Sequence, residues 1–389
     1  MKLKHGLHLA YCTNIHRGET WGEIFETLQK QTLAVRERVS PREPYAIGLR
    51  LGAVAARELA DRPTLTAFRR WLDLHGCYVF TINGFPYGKF HGTRVKEQVY
   101  APDWTTPERL QYTVQLFDLL AELVPEGVEG SVSTVPIGFK ESILEPRHEA
   151  EARGNLWRCI EHLERLSRRT GRSLHLGLEP EPLCHLETTD ETVAFFHRME
   201  RDRPGDLRLP AHLGVNYDCC HLAVEFEQAG ASLMKLHQSG IRVSKLHLSS
   251  ALKAHPTSEV RQALRRFADD TYLHQVVARH PDGGITRYRD LDLAISRHNQ
   301  LPPALSEEWR IHFHVPLHSP PTPIFDTTSD HLLGALDWLR ANPRLCSHLE
   351  METYTWEVMP PELKNRSVVD QLVAEYGWCL AQLRSRGLA

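Results

Sequence analysis

LHLGLEPEP (residues 174–182) is an apolar alternating run that ends on a carboxylate, Glu179, and is stopped at once by Pro180. Alternation of this kind fits a β-strand, and the proline marks where it stops. The construction recurs three times downstream. HLGVNYDCCH (212–221) runs to Asp218, VSKLHLSS (243–250) carries His247 and HLEMETYTW (348–356) carries Glu352. In a closed parallel barrel the C-terminal ends of the strands open into one shared mouth, so groups far apart in the chain can meet at a single ion. Four acid or imidazole endings on four strands therefore mark a candidate metalloenzyme.

Working outward, short apolar runs alternate with longer amphipathic stretches, the rhythm of repeated βα units. The strand candidates are 7–13, 45–51, 77–83, 130–137, 173–179, 213–218, 243–249, 310–316 and 348–354. These are nine segments for eight places in a barrel. One of them, RIHFHVP (310–316) or another, must be accessory. Helical spacing is expected in TWGEIFETLQKQTLAVRERV, TLTAFRRWLDLH, PERLQYTVQLFDLLAELV and EARGNLWRCIEHLERLSRRTG, the last ending on Gly171, a usual C-terminal stop. No Ser/Gly linker or low-complexity tract divides the chain, so a single barrel over 1–389 with one large insertion is the simpler account. The insertion is expected at 251–309, after the seventh strand, and at the catalytic face. Within it TYLHQVVARHPDGGITRYRDL reads as a hairpin turning at Asp282, Gly283 and Gly284.

Bulk composition narrows the function classes. A chain of 389 residues with 41% apolar side chains can bury a substantial core. Its 46 Lys plus Arg against 49 Asp plus Glu leave a formal charge of -3, which offers a phosphate polymer no general attraction, so a nucleic-acid partner is not expected. No window approaches the length of a membrane span. The eight cysteines form no CxxC pair, and the start MKLKHGLHLAYCT has no long apolar run, so reduced thiols and a cytoplasmic location are expected.

The strand ends supply the candidate site. Burying isolated carboxylates costs several kcal/mol each, so Glu179, Asp218 and His247 at one mouth imply a compensating cation, unless each pairs with Arg or Lys. Glu181 shares the face of Glu179 but sits further out, as a pocket or rim residue. Glu350 and Glu352 pose the same choice on the last strand, and Glu352, nearer the mouth, is preferred as ligand. His221, three residues after Asp218, falls near the first helical turn, as ligand, supporting donor or proton carrier. His312 and His314 share a strand face and read equally as paired ligands or as lining and substrate contacts. Asn83, Phe85, Tyr87 and His91, in a loop mixing amide, rings and glycines, are expected to bind an organic ligand, joined by His274 from the hairpin, His314 and Trp356.

LGLEP, VNYDCCHLA, KLHLSS and METYTW resemble the later strand ends of the xylose-isomerase-like TIM-barrel superfamily, which includes ketose 3-epimerases, sugar isomerases and endonuclease IV. The resemblance implies a (β/α)8 barrel of the α/β class. It also implies one divalent ion held by Glu179, Asp218, His247 and Glu352, with the two glutamates exchanging protons with substrate and His221 beside them. More narrowly, YCTNIHRGETW, FTINGFPYGKFHG, TYLHQVV, HFHVP and LEMETYTW resemble the metabolite traffic protein EboE family of bacterial ebo gene clusters, over nearly the whole chain. That likeness implies a part in processing or moving a precursor metabolite, with other proteins of the cluster as partners. The nuclease branch fits less well, because GSVSTVPIGF offers Ser131, Ser133 and Thr134 where its three-metal site needs histidine.

The expected reaction is isomerase or epimerase chemistry on a small polyhydroxylated or hydroxycarbonyl metabolite. A divalent ion, Mn or Zn before Mg or Co, acidifies the substrate C–H; Glu179 or Glu352 removes the proton and the other returns it. The rival reading is a non-catalytic metabolite carrier using the same mouth.

Overall fold

The computed structural model describes all residues except 93, 299–306, 362, 363 and 365. Eight strands run parallel in one sheet: β1 (His8–Tyr11), β2 (Tyr45–Arg50), β3 (Cys77–Asn83), β4 (Gly130–Thr134), β5 (Leu174–Leu178), β6 (Leu213–Asp218), β7 (Arg242–Leu248) and β13 (His348–Met351). Their spatial order is β1-β13-β7-β6-β5-β4-β3-β2, and a parallel bridge from Cys12 to Gly48 joins the two ends into a barrel. Closure has a steric condition. A Cβ on Gly48 would lie 2.0 Å from Glu350 Oε1 and 2.6 Å from the Tyr11 carbonyl, so only glycine fits at this seam.

The helices between strands form as their patterns predict. Pro107–Leu123 and Pro146–Thr170 both start on proline, whose missing N–H costs nothing in a first turn, and the second stops at Gly171 in the left-handed region, φ 70°. Their apolar faces, including Leu116, Phe117, Leu156 and Leu163, are buried. No helix among the described residues is long and apolar enough to cross a membrane.

Between β7 and β13 the chain builds a second, antiparallel sheet from β8 (Leu252–Ala254), β9 (Val276–Arg279), β10 (Ile285–Tyr288), β11 (Glu308–Ile311) and β12 (Asp326–Thr327). This resolves the ninth strand: RIHFHVP is the accessory one, since Arg310 pairs with Lys253 and Val277 and the run leaves the ladder after Ile311. The hairpin is present as β9 and β10, with His280 N–H on the Gly284 carbonyl. The sheet extends to Thr327, beyond the 251–309 interval read from sequence, and residues 299–306 of that interval lie outside the described residues.

The barrel interior is polar at its centre. Lys245 on β7 reaches Ser133 on β4, and His348 on β13 bonds Ser131 on β4, contacts that cross the bore because these strands are not neighbours. Every such group is buried, so its hydrogen bonds are obligatory.

Candidate functional site

Register brings the four expected ligands to one level. Asp218 and His247 are direct partners in the β6–β7 ladder, while Glu179 and Glu352 each stand one residue past the end of β5 and β13. All four are buried, and their ligand atoms lie within 4.8 Å of one another. His247 Nδ1 is the hub, at 3.0 Å from Glu179 Oε1, 3.3 Å from Asp218 Oδ2 and 3.2 Å from Glu352 Oε2.

Asp218 and Glu352 are each restrained through one oxygen and turn the other to the cluster. Asp218 caps the helix Cys219–Val224: its Oδ1 accepts the His221 N–H at 3.0 Å and the Ser249 hydroxyl at 2.7 Å, leaving Oδ2 without a hydrogen bond. Glu352 Oε1 accepts the amides of Asn14 (2.8 Å) and Asn83 (3.1 Å). Glu179 Oε2 has no partner. Buried carboxylate oxygens without donors are costly, and a cation is the group that would satisfy them.

The electrostatics agree. Burial works against a charged imidazole, yet the Glu352 and Glu179 carboxylates push His247 well above the ordinary histidine value. Burial likewise opposes ionisation of Asp218, but His221, His314 and His247 hold it well below the usual carboxylate range. A proton on His247 thus supplies the counter-charge that a bound ion would replace. Three carboxylates and one imidazole form a largely hard donor set, which suits a divalent ion.

Further donors adjoin. Asp218, His221 and His314, then Glu181, His221 and His312, and finally Cys220, His312 and His314 each place ligand atoms within 4.8 Å of one another. Their ring nitrogens are oriented from outside: His221 Nδ1 meets the Pro180 carbonyl, His312 Nδ1 meets Gln275 Oε1, and His314 Nδ1 meets the Glu352 carbonyl, while His314 Nε2 has no partner. The accessory sheet supplies two of these imidazoles, since His312 and His314 follow β11.

A cavity opens above the cluster. Glu179 and Glu352 line it, as do Glu181, His221 and His312, whereas Asp218 and His247 do not. Apolar lining comes from Phe85, Phe90, Tyr100, Tyr272 and Tyr354. Burial pushes Glu181 up to about 7, against the pull of His221 and the Tyr100 hydroxyl, which donates to it at 2.6 Å. Lys96 also lines the cavity, with its ammonium already donating to Asp290 and to the carbonyls of Asp269 and Tyr272.

Of the residues expected to meet substrate, Asn83 and Phe85 are at the cavity wall. His91 stands behind it, bonded to the Asn14 carbonyl at 2.6 Å and the Tyr272 hydroxyl at 2.7 Å. His274 is bonded to Asp269 and to the His312 carbonyl, Tyr87 packs edge-on against Tyr112, Trp356 is buried beyond the wall and His314 lies beside Tyr354. Sequence reading missed Lys245, Ser249, Tyr100 and Tyr354. Lys245 alone carried a signal, two residues before His247 on the same strand face.

No family model and no curated protein matches the chain. Among solved structures it is similar to a xylose isomerase-like TIM-barrel protein from Mycobacterium smegmatis in complex with magnesium, with a TM-score of 0.51 at 15% identity over 93% of this chain and 89% of that one. A D-tagatose 3-epimerase-like protein matches with a TM-score of 0.48 at 11% identity, covering 96% of this chain and 98% of that one. A protein described as the probable 3-DHS dehydratase AsbF from Bacillus anthracis matches at 0.44 and 12%, covering 97% and 98%. The eight parallel strands and the first of these likenesses show that the chain has the fold of the xylose isomerase-like TIM barrels.

Proposed function

We propose that the protein is a metal-dependent isomerase or epimerase acting on a small polyhydroxylated or hydroxycarbonyl metabolite. One observation carries the reading: of four buried donors within 4.8 Å, the two glutamates also line the cavity and the other two do not. Asp218 and His247 are thereby suited to holding an ion, and Glu179 and Glu352 to holding it and also reaching a substrate. When bound, a divalent ion such as Mn or Zn supplies Lewis-acid polarisation of adjacent substrate oxygens.

The chain's own residues do the rest. One glutamate, ionised, takes the proton from the substrate carbon; the other, protonated, returns one to the same or the neighbouring carbon, so the pair exchanges protonation states with no net change. Asn14 and Asn83 hold Glu352 by one oxygen, which fixes the direction of the other. The aromatic lining packs the apolar face of the ligand and displaces water. A cytoplasmic setting belongs to this proposal through the scattered cysteines, and a place in the processing or traffic of a precursor metabolite beside partners from the same gene cluster through the sequence resemblance to the EboE family.

Metal analysis of the purified protein, followed by incubation with hydroxycarbonyl compounds in D2O and mass spectrometry, tests it. Deuterium entering the substrate carbon is the expected result. Stoichiometric binding with no exchange would replace the enzyme by a carrier.

A further inference from the structure

Behind His247, on the side away from the cavity, lies a second charged group that the proposed reaction does not use. Glu350 is the direct partner of His247 in the β7–β13 ladder, and Lys245 precedes His247 by two residues on the same face of β7. Their side chains are 0% and 1% exposed. Glu350 Oε2 accepts from His247 Nε2 at 2.8 Å and from the Lys245 ammonium, which also donates to Ser133 at 3.3 Å. Space for this carboxylate exists because the barrel seam carries Gly48, where any Cβ would fall 2.0 Å from Glu350 Oε1.

We infer that Glu350 and Lys245 are positioning residues that commit His247 to present Nδ1, and not Nε2, to the metal cluster. The inference rests on the metal-binding reading above. A neutral imidazole carries one N–H and one lone pair; both nitrogens of His247 meet carboxylates, Nδ1 meeting Glu179 at 3.0 Å and Nε2 meeting Glu350 at 2.8 Å, and the nitrogen that ligates an ion gives up its hydrogen. With Nε2–H donated to Glu350, the lone pair is on Nδ1, the atom already surrounded by Glu179, Asp218 and Glu352. The ring orientation is fixed by the same bond. Lys245 has a separate task. A fourth buried carboxylate beside three others would be repelled by them, and the ammonium neutralises it, so that Glu350 stays a hydrogen-bond acceptor for Nε2 and does not turn towards the ion.

The test is equilibrium binding of Mn2+ and Zn2+ to the full chain by competition with a chromophoric chelator, together with 15N NMR of histidine-labelled protein. Wild type is compared with Glu350→Met, which removes the acceptor, Glu350→Gln, which retains one neutral acceptor, and Lys245→Met. The metal-loaded wild type is expected to show His247 protonated at Nε2. Glu350→Met is expected to bind metal about 10- to 100-fold more weakly. Glu350→Gln should fall between it and wild type, a graded recovery that a pure packing role would not give. Should a single variant fail to fold, Glu350→Met/Lys245→Met removes both charges together and is expected to show the same loss of about 10- to 100-fold. Wild-type affinity in the folded variants, or Nδ1 protonated in the loaded protein, overturns the positioning role alone. A wild-type protein that binds no divalent ion overturns the metal-dependent reading and this role with it.

Discussion

At the residue scale, position on the strand decides what each carboxylate does. Glu350 on β13 meets Lys245 on the adjacent strand β7, whereas Glu352, two residues on and just past the strand end, reaches the cavity. Glu179→Gln and Glu352→Gln are therefore each expected to lower exchange of substrate hydrogen with solvent by about 10^2- to 10^4-fold with an unchanged circular dichroism spectrum. Deuterium incorporation followed by mass spectrometry is the measurement, and full activity in both variants would remove the acid and base assignment. A different carboxylate gives a pH signature. Burial pushes Glu375 up to about 7, against hydrogen bonds from the Thr353 hydroxyl (2.8 Å) and the Leu317 N–H (3.1 Å). Its folded value exceeds the unfolded one of about 4.3, so the folded state binds the extra proton, and the stability this confers is complete below the unfolded value and lost as pH rises through 7. Glu375→Gln, neutral throughout, is expected to gain on wild type in urea unfolding by an amount on the order of 3 kcal/mol between pH 4 and pH 8. A pH-independent difference would contradict this.

At the element scale, the seam between β1 and β2 and the accessory sheet carry the consequences. Gly48→Ala forces a methyl group into the Glu350 carboxylate and the Tyr11 carbonyl. A loss of about 1–3 kcal/mol in chemical denaturation is expected from such overpacking, with weaker metal binding because Glu350 must move. Unchanged stability would mean that the strands separate at no cost. The sequence could not assign RIHFHVP to its sheet, because alternation reports only that two faces differ and says nothing of the neighbour that supplies hydrogen bonds. The period did show that His312 and His314 share a face, and their rings lie 5.4 Å apart. It did not show that the chain leaves the ladder after Ile311, which carries both imidazoles to the site.

At the scale of the whole molecule, the cluster ties together the ends of four adjacent strands, β5, β6, β7 and β13, so an ion bound there stabilises the folded barrel over the unfolded chain. Addition of Mn2+ or Zn2+ at about 100 times its dissociation constant is expected to add about 2.7 kcal/mol, read as a rise in Tm that a chelator reverses. No shift with either ion would count against the cluster as a metal centre. Strand endings, helix stops and the hairpin turn were legible in the sequence because they depend on local geometry: a proline after Glu179, a left-handed glycine at 171, an Asp-Gly-Gly turn. So was the meeting of Glu179, Asp218, His247 and Glu352 in one place, since parallel strands of one barrel deliver their ends to one mouth. Tertiary structure alone decided the roles of Lys245, Tyr100 and Tyr354. Their partners Glu350, Glu181 and His312 lie far off along the chain, and only barrel closure and the folding-over of the accessory sheet bring them within hydrogen-bond reach. A side chain's chemistry is written in its own residue, but what it faces is set by strand register and closure, which no local stretch of sequence contains.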